Sequence, residues 1–421
     1  MSRKQSIITS PIARILTATD RSGLEARLAE YFPAAAVAEL LAARDIRVVA
    51  LETGDAGRGA ALACALRSAG AVARERDDGL VVAVTGDNAV RAARAAVPAL
   101  GRDLDAIALA LAHAAQPAAT FRMRGRRLDL RDEARVMGIL NVTPDSFYER
   151  VGGVPEAVVR AAAMAADGAA LVDVGGQSYA HWNPRIAAAE ERGRVVPAVE
   201  AIVDAGVDLA LSIDTFKAEV ADAALAAGAH LINDCSGLSD PRLAETVARH
   251  DAALVVMHLK GELNLRSAES YIYTDALAEI VEFLYERTER AKAAGVAAES
   301  IAIDPGLEFG KEPETDLEIL DRFGELTALG YPILFASSRK SFIGRLFNRP
   351  AKELLVPSLA TAGLGITAGA RMLRVHDVAE TVQLARMYAA VGPRRRRSEA
   401  FAPRMPGTPA GAGNPAPPRT V

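Results

Sequence analysis

Polar residues able to bind or polarise a ligand recur in this sequence at one kind of place, the downstream end of an apolar run. The run Val136-Met137-Gly138-Ile139-Leu140 ends in Asn141, followed by Thr143-Pro144-Asp145-Ser146-Phe147. Later runs deliver Asp173-Val174-Gly175-Gly176-Gln177-Ser178, Ser212-Ile213-Asp214-Thr215, Ile232-Asn233-Asp234 and Met257-His258-Leu259-Lys260-Gly261. The last three deliver Asp304-Pro305-Gly306 with Phe309-Gly310-Lys311, Ser337-Ser338-Arg339-Lys340-Ser341, and Arg374-Val375-His376-Asp377. One polar residue at such a point is a turn former or a helix cap. Eight sets in phase are the pattern of strand ends that converge on a ligand. Asp214, Asn233 and Asp304 would form a ring of acceptor and amide groups, suited to a flat, donor-rich heterocycle such as a 2-amino-4-oxo-pyrimidine. Buried carboxylates are costly without a cation or a ligand, and Lys340 is a candidate partner. Arg374 and His376, two apart on one strand, project to the same face. This basic pair, with Asn141 and nearby helix N-termini, would hold a diphosphate and its magnesium ion.

The elements that must position these residues alternate regularly from Ala134 onward. Strand-length apolar runs at 135–140, 170–175, 209–213, 230–233, 253–257, 300–303, 331–336 and 371–375 are separated by helix-length amphipathic segments near 155–167, 185–205, 217–228, 240–250, 275–295, 313–328 and 357–368, and a last such segment lies near 378–390. Apolar strands joined by helical crossovers imply a parallel sheet covered on both sides, and eight such units are the count of a (β/α)8 TIM barrel. In that fold the active site lies at the C-terminal ends of the strands, where the polar clusters fall. Residues 1–125 read as a small α/β N-terminal module, with strands at 46–51 and 80–84 and helices near 34–43, 57–69 and 89–96, and without a glycine-rich phosphate loop. The arginine-rich stretch Phe121 to Glu133 reads as a solvated connector. The barrel is expected over 126–393, and 394–421, opening with four arginines and rich in Pro, Gly and Ala, is expected to be a disordered tail.

Composition narrows the function classes. Half of the 421 residues are hydrophobic and 24% are charged, so a sizeable core is feasible. A net charge of −4 gives no reason to expect nucleic acid or a membrane surface as a partner. The two cysteines, Cys64 and Cys235, lack metal-type spacing and suit a reducing compartment. No apolar run reaches the ~18–20 residues of a membrane span, and Met1 to Ile12 lacks a hydrophobic h-region. A cytoplasmic protein is expected.

These motifs, in order and at barrel spacing, resemble those of dihydropteroate synthase, a folate-pathway family; the likeness covers about residues 134 to 391. The resemblance implies that 6-hydroxymethyl-7,8-dihydropterin diphosphate and 4-aminobenzoate are the substrates, magnesium the cofactor and a homodimer the assembly. It implies pterin binding by Asp214, Asn233, Asp304 and Lys340, with Met257 and Phe309 as pocket walls. Asn141, through magnesium, would hold the diphosphate with Arg374 and His376. Lys340 and Ser341 would also face 4-aminobenzoate, and Ser178 would line the substrate site. Phe147 would close over a pterin cation formed when diphosphate departs, with Glu149 keeping the carboxylate that the family places nearby. The second loop departs from the family's Gly-Gly-Glu-Ser-Thr-Arg-Pro: here Gly175-Gly176-Gln177-Ser178 runs into Tyr179-Ala180-His181-Trp182-Asn183-Pro184-Arg185, so the usual arginine is missing. Two other functions fit a pterin-binding barrel: methyl transfer from methyl-tetrahydrofolate to a corrinoid protein, and pterin binding without turnover. The diphosphate set and Ser338–Ser341 favour the synthase.

Overall fold

The computed structural model describes residues 11–17, 21–34, 36–37, 47–143, 153–177, 185–261 and 272–391. Strands Ala13–Ile15 (β1), Arg47–Glu52 (β2), Val72–Glu75 (β3) and Leu80–Thr85 (β4) form an antiparallel sheet in the order β1-β2-β4-β3. Helices Arg21–Ala29 (α1), Ala56–Ser68 (α2), Asp87–Ala96 (α3) and Gly101–Ala115 (α4) complete the module. β2 and β4 read as unbroken apolar runs because both faces are covered. Val49, Leu51, Val81 and Ala83 pack on Leu62, Leu66, Leu104 and Ile107, whereas Val48, Ala50, Val82 and Val84 pack on Leu28, Phe32 and Val37. Beyond the elements expected from the sequence, the module contains α1, β1, β3 and α4. The helix expected at 34–43 falls mostly outside the described residues, as does the segment 394–421.

The barrel strands are Arg135–Asn141 (β7), Leu171–Gly175 (β8), Ala210–Asp214 (β9), Leu231–Asp234 (β10), Ala253–Met257 (β11), Ile301–Asp304 (β12), Leu334–Phe335 (β13) and Met372–Val375 (β14). They pair in parallel in the order β12-β11-β10-β9-β8-β7-β14-β13. A parallel bridge between Ile303 and Ile333 closes the ring. Crossover helices are Val154–Ala166 (α5), Ala188–Asp204 (α6), Ala218–Ala226 (α7), Leu243–Arg249 (α8), Ala276–Ala293 (α9), Pro313–Asp321 (α10), Ser341–Phe347 (α11) and Leu355–Ala368 (α12), with Val378–Val391 (α13) last. The fold is therefore the expected (β/α)8 barrel with a small α/β module before it. The helix expected over 313–328 instead breaks into α10 and a 3₁₀ segment, Phe323–Leu329. Gly324 in that segment lies against Thr17 of the module, where an added β carbon would sit 2.9 Å from Oγ1. The short α11 was not foreseen.

The expected connector is a correction. Thr120–Met123 (β5) and Arg126–Asp129 (β6) form a hairpin, and Phe121, Met123 and Leu130 pack beneath the barrel against Met137, Leu171, Leu231, Ala302 and Met372. Arg122 and Arg124 are half-buried and reach back to the barrel, while Arg126, Arg127 and Arg131 keep the expected exposure. Arg122 pairs with Asp251 at 2.8 Å, Arg126 pairs with Asp208 at 2.9 Å, and Arg124 donates to the Leu225 carbonyl. The 125/126 boundary falls at the turn of this hairpin.

The module is joined to the barrel by buried charge. Glu325, fully buried, accepts from Arg14 at 3.2 Å, from Arg322 at 2.9 Å and from Arg27. Arg14 and Arg322 also reach Asp275, which caps α9 by accepting from Ala278 N–H at 3.1 Å. Removing one member of such a network strands the others without a counter-charge. Glu325→Ala is expected to lower stability by about 3–5 kcal/mol, measured as a shift of the urea midpoint of the full chain.

Candidate active site

Inward-facing positions of parallel strands recur every second residue, and the barrel uses this to change from floor to pocket. Leu171, Ala210, Leu231, Ala302 and Met372 belong to the apolar floor. Two residues on, facing the same way, stand Asp173, Ser212, Asn233, Asp304 and Arg374. Their side chains meet. Arg374 Nε donates to Asp173 Oδ2 at 2.6 Å, and Nη2 donates to Asp214 Oδ2 at 2.7 Å. Asp173 also accepts from Ser212 Oγ at 2.5 Å and from Asn233 Nδ2 at 2.9 Å. Asp214 is less well served, because its buried Oδ1 has no hydrogen-bond partner among the described residues. Burial pushes the Asp214 carboxyl above the usual range, against the pull of Arg374 and with the charge of Asp173 adding to the rise. Two buried acids share one guanidinium, so the site is short of donors.

Asp304 stands on the opposite wall. Its Oδ1 accepts from Gly306 N–H at 2.7 Å; burial raises its pKa, while Lys340 pulls it down. Lys340 Nζ donates to the Leu307 carbonyl and lies 5.1 Å from the centre of the Phe309 ring. Phe309 packs with Met257, Cys235, Leu259 and Phe216 in one apolar patch. Lys311 Nζ donates to the carbonyls of Gly306 at 2.7 Å and Phe309 at 3.0 Å, and burial lowers its pKa.

Asn141 ends β7 beside Gly175 of β8. A β carbon at Gly175 would lie 3.0 Å from Asn141 Oδ1 and 3.9 Å from Asp214 Oδ2, so glycine keeps the space between two oxygen donors open. His376 Nδ1 is 3.2 Å from Ser338 Oγ. Its burial, then Arg374, push its pKa down to about 4, so the imidazole is neutral at pH 7.

Residues 137–376 match the profile of a family described as pterin binding enzyme. The dihydropteroate synthase of Bacillus subtilis is 38% identical over 268 residues, 63% of this chain and 90% of the relative. The crystal structure of dihydropteroate synthase from Thermus thermophilus in complex with 4-aminobenzoate superposes with a TM-score of 0.58 at 37% identity, covering 65% of this chain and all of the other. The same enzyme in complex with 6HMPPP gives 0.56 at 38% identity, with 65% and 100% covered. The chain belongs to the pterin-binding enzymes, among the dihydropteroate synthases.

Within this family the site can be set against its expectation. The structure brings Asp214, Asn233, Met257, Asp304, Phe309, Lys340, Arg374 and His376 to one barrel mouth, with Asn141 at the rim. Phe147, Glu149 and Ser178 lie outside the described residues, as does most of the altered second loop. The cations divide between the acids: Arg374 bonds Asp173 and Asp214, while Lys340 acts on Asp304. The supposed basic pair is one cation and one neutral imidazole. Asp173 was not singled out, although its sequence signal existed: it lies two residues after the inward Leu171 and two before Gly175. Gln177, at the base of the altered loop, accepts from Lys217 Nζ at 2.7 Å, which also bonds the fully buried Glu191.

Replacing Arg374 by methionine should leave Asp173 and Asp214 buried without a cation, at about 3–5 kcal/mol of stability. Asp214, already raised by burial, would lose the opposing pull of Arg374 and rise further, so the variant's deficit should grow as pH rises. Urea unfolding at pH 5.5 and pH 8 measures the difference.

Proposed function

We propose that this pterin-binding enzyme condenses 6-hydroxymethyl-7,8-dihydropterin diphosphate with 4-aminobenzoate to give 7,8-dihydropteroate and diphosphate. The observation that carries this reading is the donor-poor acid set, Asp214 with its bare Oδ1 beside Asp173, and Asp304 across the mouth. A pterin's ring N–H and exocyclic amine are donors of the kind these acceptors lack. Asn233 and Lys340 complete the polar edge, and Met257 and Phe309 supply apolar walls.

The reaction breaks the bond between the pterin methylene carbon and the diphosphate oxygen, the electron pair leaving with diphosphate. The amine nitrogen then bonds to the methylene and loses one proton. No covalent enzyme intermediate is required, so rate enhancement rests on placement and on stabilising charge as it separates. Asn141, Arg374 and His376 are assigned to the diphosphate, His376 as a neutral donor. Magnesium fits the oxygen donors beside Gly175, and Asn141 is the residue that would hold it. Bound there, the ion would offset the charge of the leaving group. The carboxylates of Asp173, Asp214 and Asp304 would stabilise a cationic pterin below it.

Two free thiols, Cys64 exposed and Cys235 buried, support a cytoplasmic setting; no helix among the described residues is long and apolar enough to cross a membrane. Helices α11, α12 and α13 leave Leu346, Phe347, Val356, Leu364, Met387 and Val391 exposed. A second copy of the chain is the proposed cover for these apolar side chains, and Leu364→Asp with Met387→Asp should halve the mass seen by light scattering.

Asp214→Ala or Lys340→Ala should reduce dihydropteroate formation by about 10²–10³-fold or more with the fold intact, read by product assay alongside circular dichroism. Full activity in either variant overturns the assignment. Pterin donors favour ionised Asp214, whose pKa is raised, so pterin affinity should weaken as pH falls through that pKa. Calorimetry from pH 5 to 8.5 tests this, with Asp214→Asn expected to bind weakly and without that pH dependence.

A further inference from the structure

The amine of Lys217 gathers acceptors from three places in the chain. Its Nζ donates to Gln177 Oε1 at 2.7 Å, to the Ile186 carbonyl at 2.8 Å and to Glu191 Oε2 at 2.5 Å. An ammonium has three hydrogens, and all three are used. Glu191 is fully buried, its Oε1 has no hydrogen-bond partner, and Lys217 is its one bonded cation among the described residues.

These acceptors belong to one connection. Gln177 follows β8, Ile186 precedes α6, and Glu191 stands in the first turn of α6. The two feet of the connection also meet directly, since Ile186 N–H donates to Gln177 Oε1 at 3.4 Å. Lys217 itself lies three residues after Asp214, the last residue of β9. One amine therefore ties the end of β8, the start of α6 and the end of β9 together. Two residues before Gln177, Gly175 pairs in register with Asp214 and borders Asn141 Oδ1. Outside the sheet ladder the two strand ends are held differently. Asp214 is bonded by Arg374, whereas the end of β8 has Arg194 Nη1 on the Gly176 carbonyl at 3.0 Å and Lys217 on Gln177.

Resting on the synthase reading, we propose that Lys217 is a positioning residue for diphosphate departure: it fixes the end of β8 against β9, so that the gap at Gly175 and Asn141 is set for magnesium and the leaving group. Lys217 acts through the strand ends it joins and not by touching the substrate. A small displacement of groups that meet a developing charge lowers the rate more than it weakens substrate binding. The pterin ring, held by Asp214, Asn233 and Asp304, lies outside this effect.

The test removes the tie without leaving a buried charge behind. Lys217→Met combined with Glu191→Leu replaces an ion pair by apolar side chains of similar size, an exchange that leaves stability near its starting value or raises it. In this double variant of the full chain, kcat for diphosphate release from pterin diphosphate, with magnesium and 4-aminobenzoate, should fall by about tenfold to a hundredfold. Calorimetry should show weaker binding of inorganic diphosphate with magnesium, and unchanged binding of 6-hydroxymethyl-7,8-dihydropterin. Gln177→Met cuts one foot of the tie, keeps the Lys217–Glu191 pair, and should lower kcat in the same direction. Glu191→Gln keeps an acceptor for Lys217, so its kcat should match the wild type while its urea midpoint falls. Wild-type kcat in Gln177→Met or in the folded double variant overturns the inference, as does a loss of kcat in Glu191→Gln equal to that of the double variant. A wild type that releases no diphosphate removes the synthase reading itself.

Discussion

The site is organised by a shortage of positive charge. Arg374 is the only guanidinium bonded to both Asp173 and Asp214 among the described residues, and one cation cannot neutralise two buried acids. The protein meets part of the deficit locally, through Ser212 and Asn233 on Asp173. It leaves the rest to a ligand. Paired buried charges contribute little net stability, so the value of this arrangement lies in what it asks of a visitor: hydrogen-bond donors in a plane, and a tolerance for positive charge. Both requirements describe a pterin, and more so one that has lost its leaving group.

That logic depends on the strand alternation that places the acids. Much of it was legible in the sequence, because a parallel barrel strand turns the same way at every second residue. Asn141, Asp214, Asn233, Asp304, Arg374 and His376 could be assigned to one mouth from spacing alone. What spacing could not supply was pairing. Asp173 and Arg374 are 201 positions apart in the chain, and nothing local in either run says that they meet. Charge state was hidden for the same reason: His376 looks basic in a sequence and is kept neutral by burial and by Arg374.

The N-terminal region was less readable. β2 and β4 announced themselves as apolar runs, but β1 is three residues long and β3 carries charge at Arg74 and Glu75. Such edge strands are fixed by their neighbours more than by their composition. The arginine-rich stretch misled for a related reason. Arg122, Arg124 and Arg126 look like solvent-facing residues, yet alternate with Phe121 and Met123, which are buried. A two-residue period was present, and charge density masked it.

The hairpin beneath the barrel has a consequence for traffic. With Phe121, Met123 and Leu130 sealing the lower end, the barrel is a cup and not a tube. Whatever reaches the acids must pass the rim, and whatever rests at the rim blocks the way down. Ligands that share the mouth have one common approach, from above the strand ends.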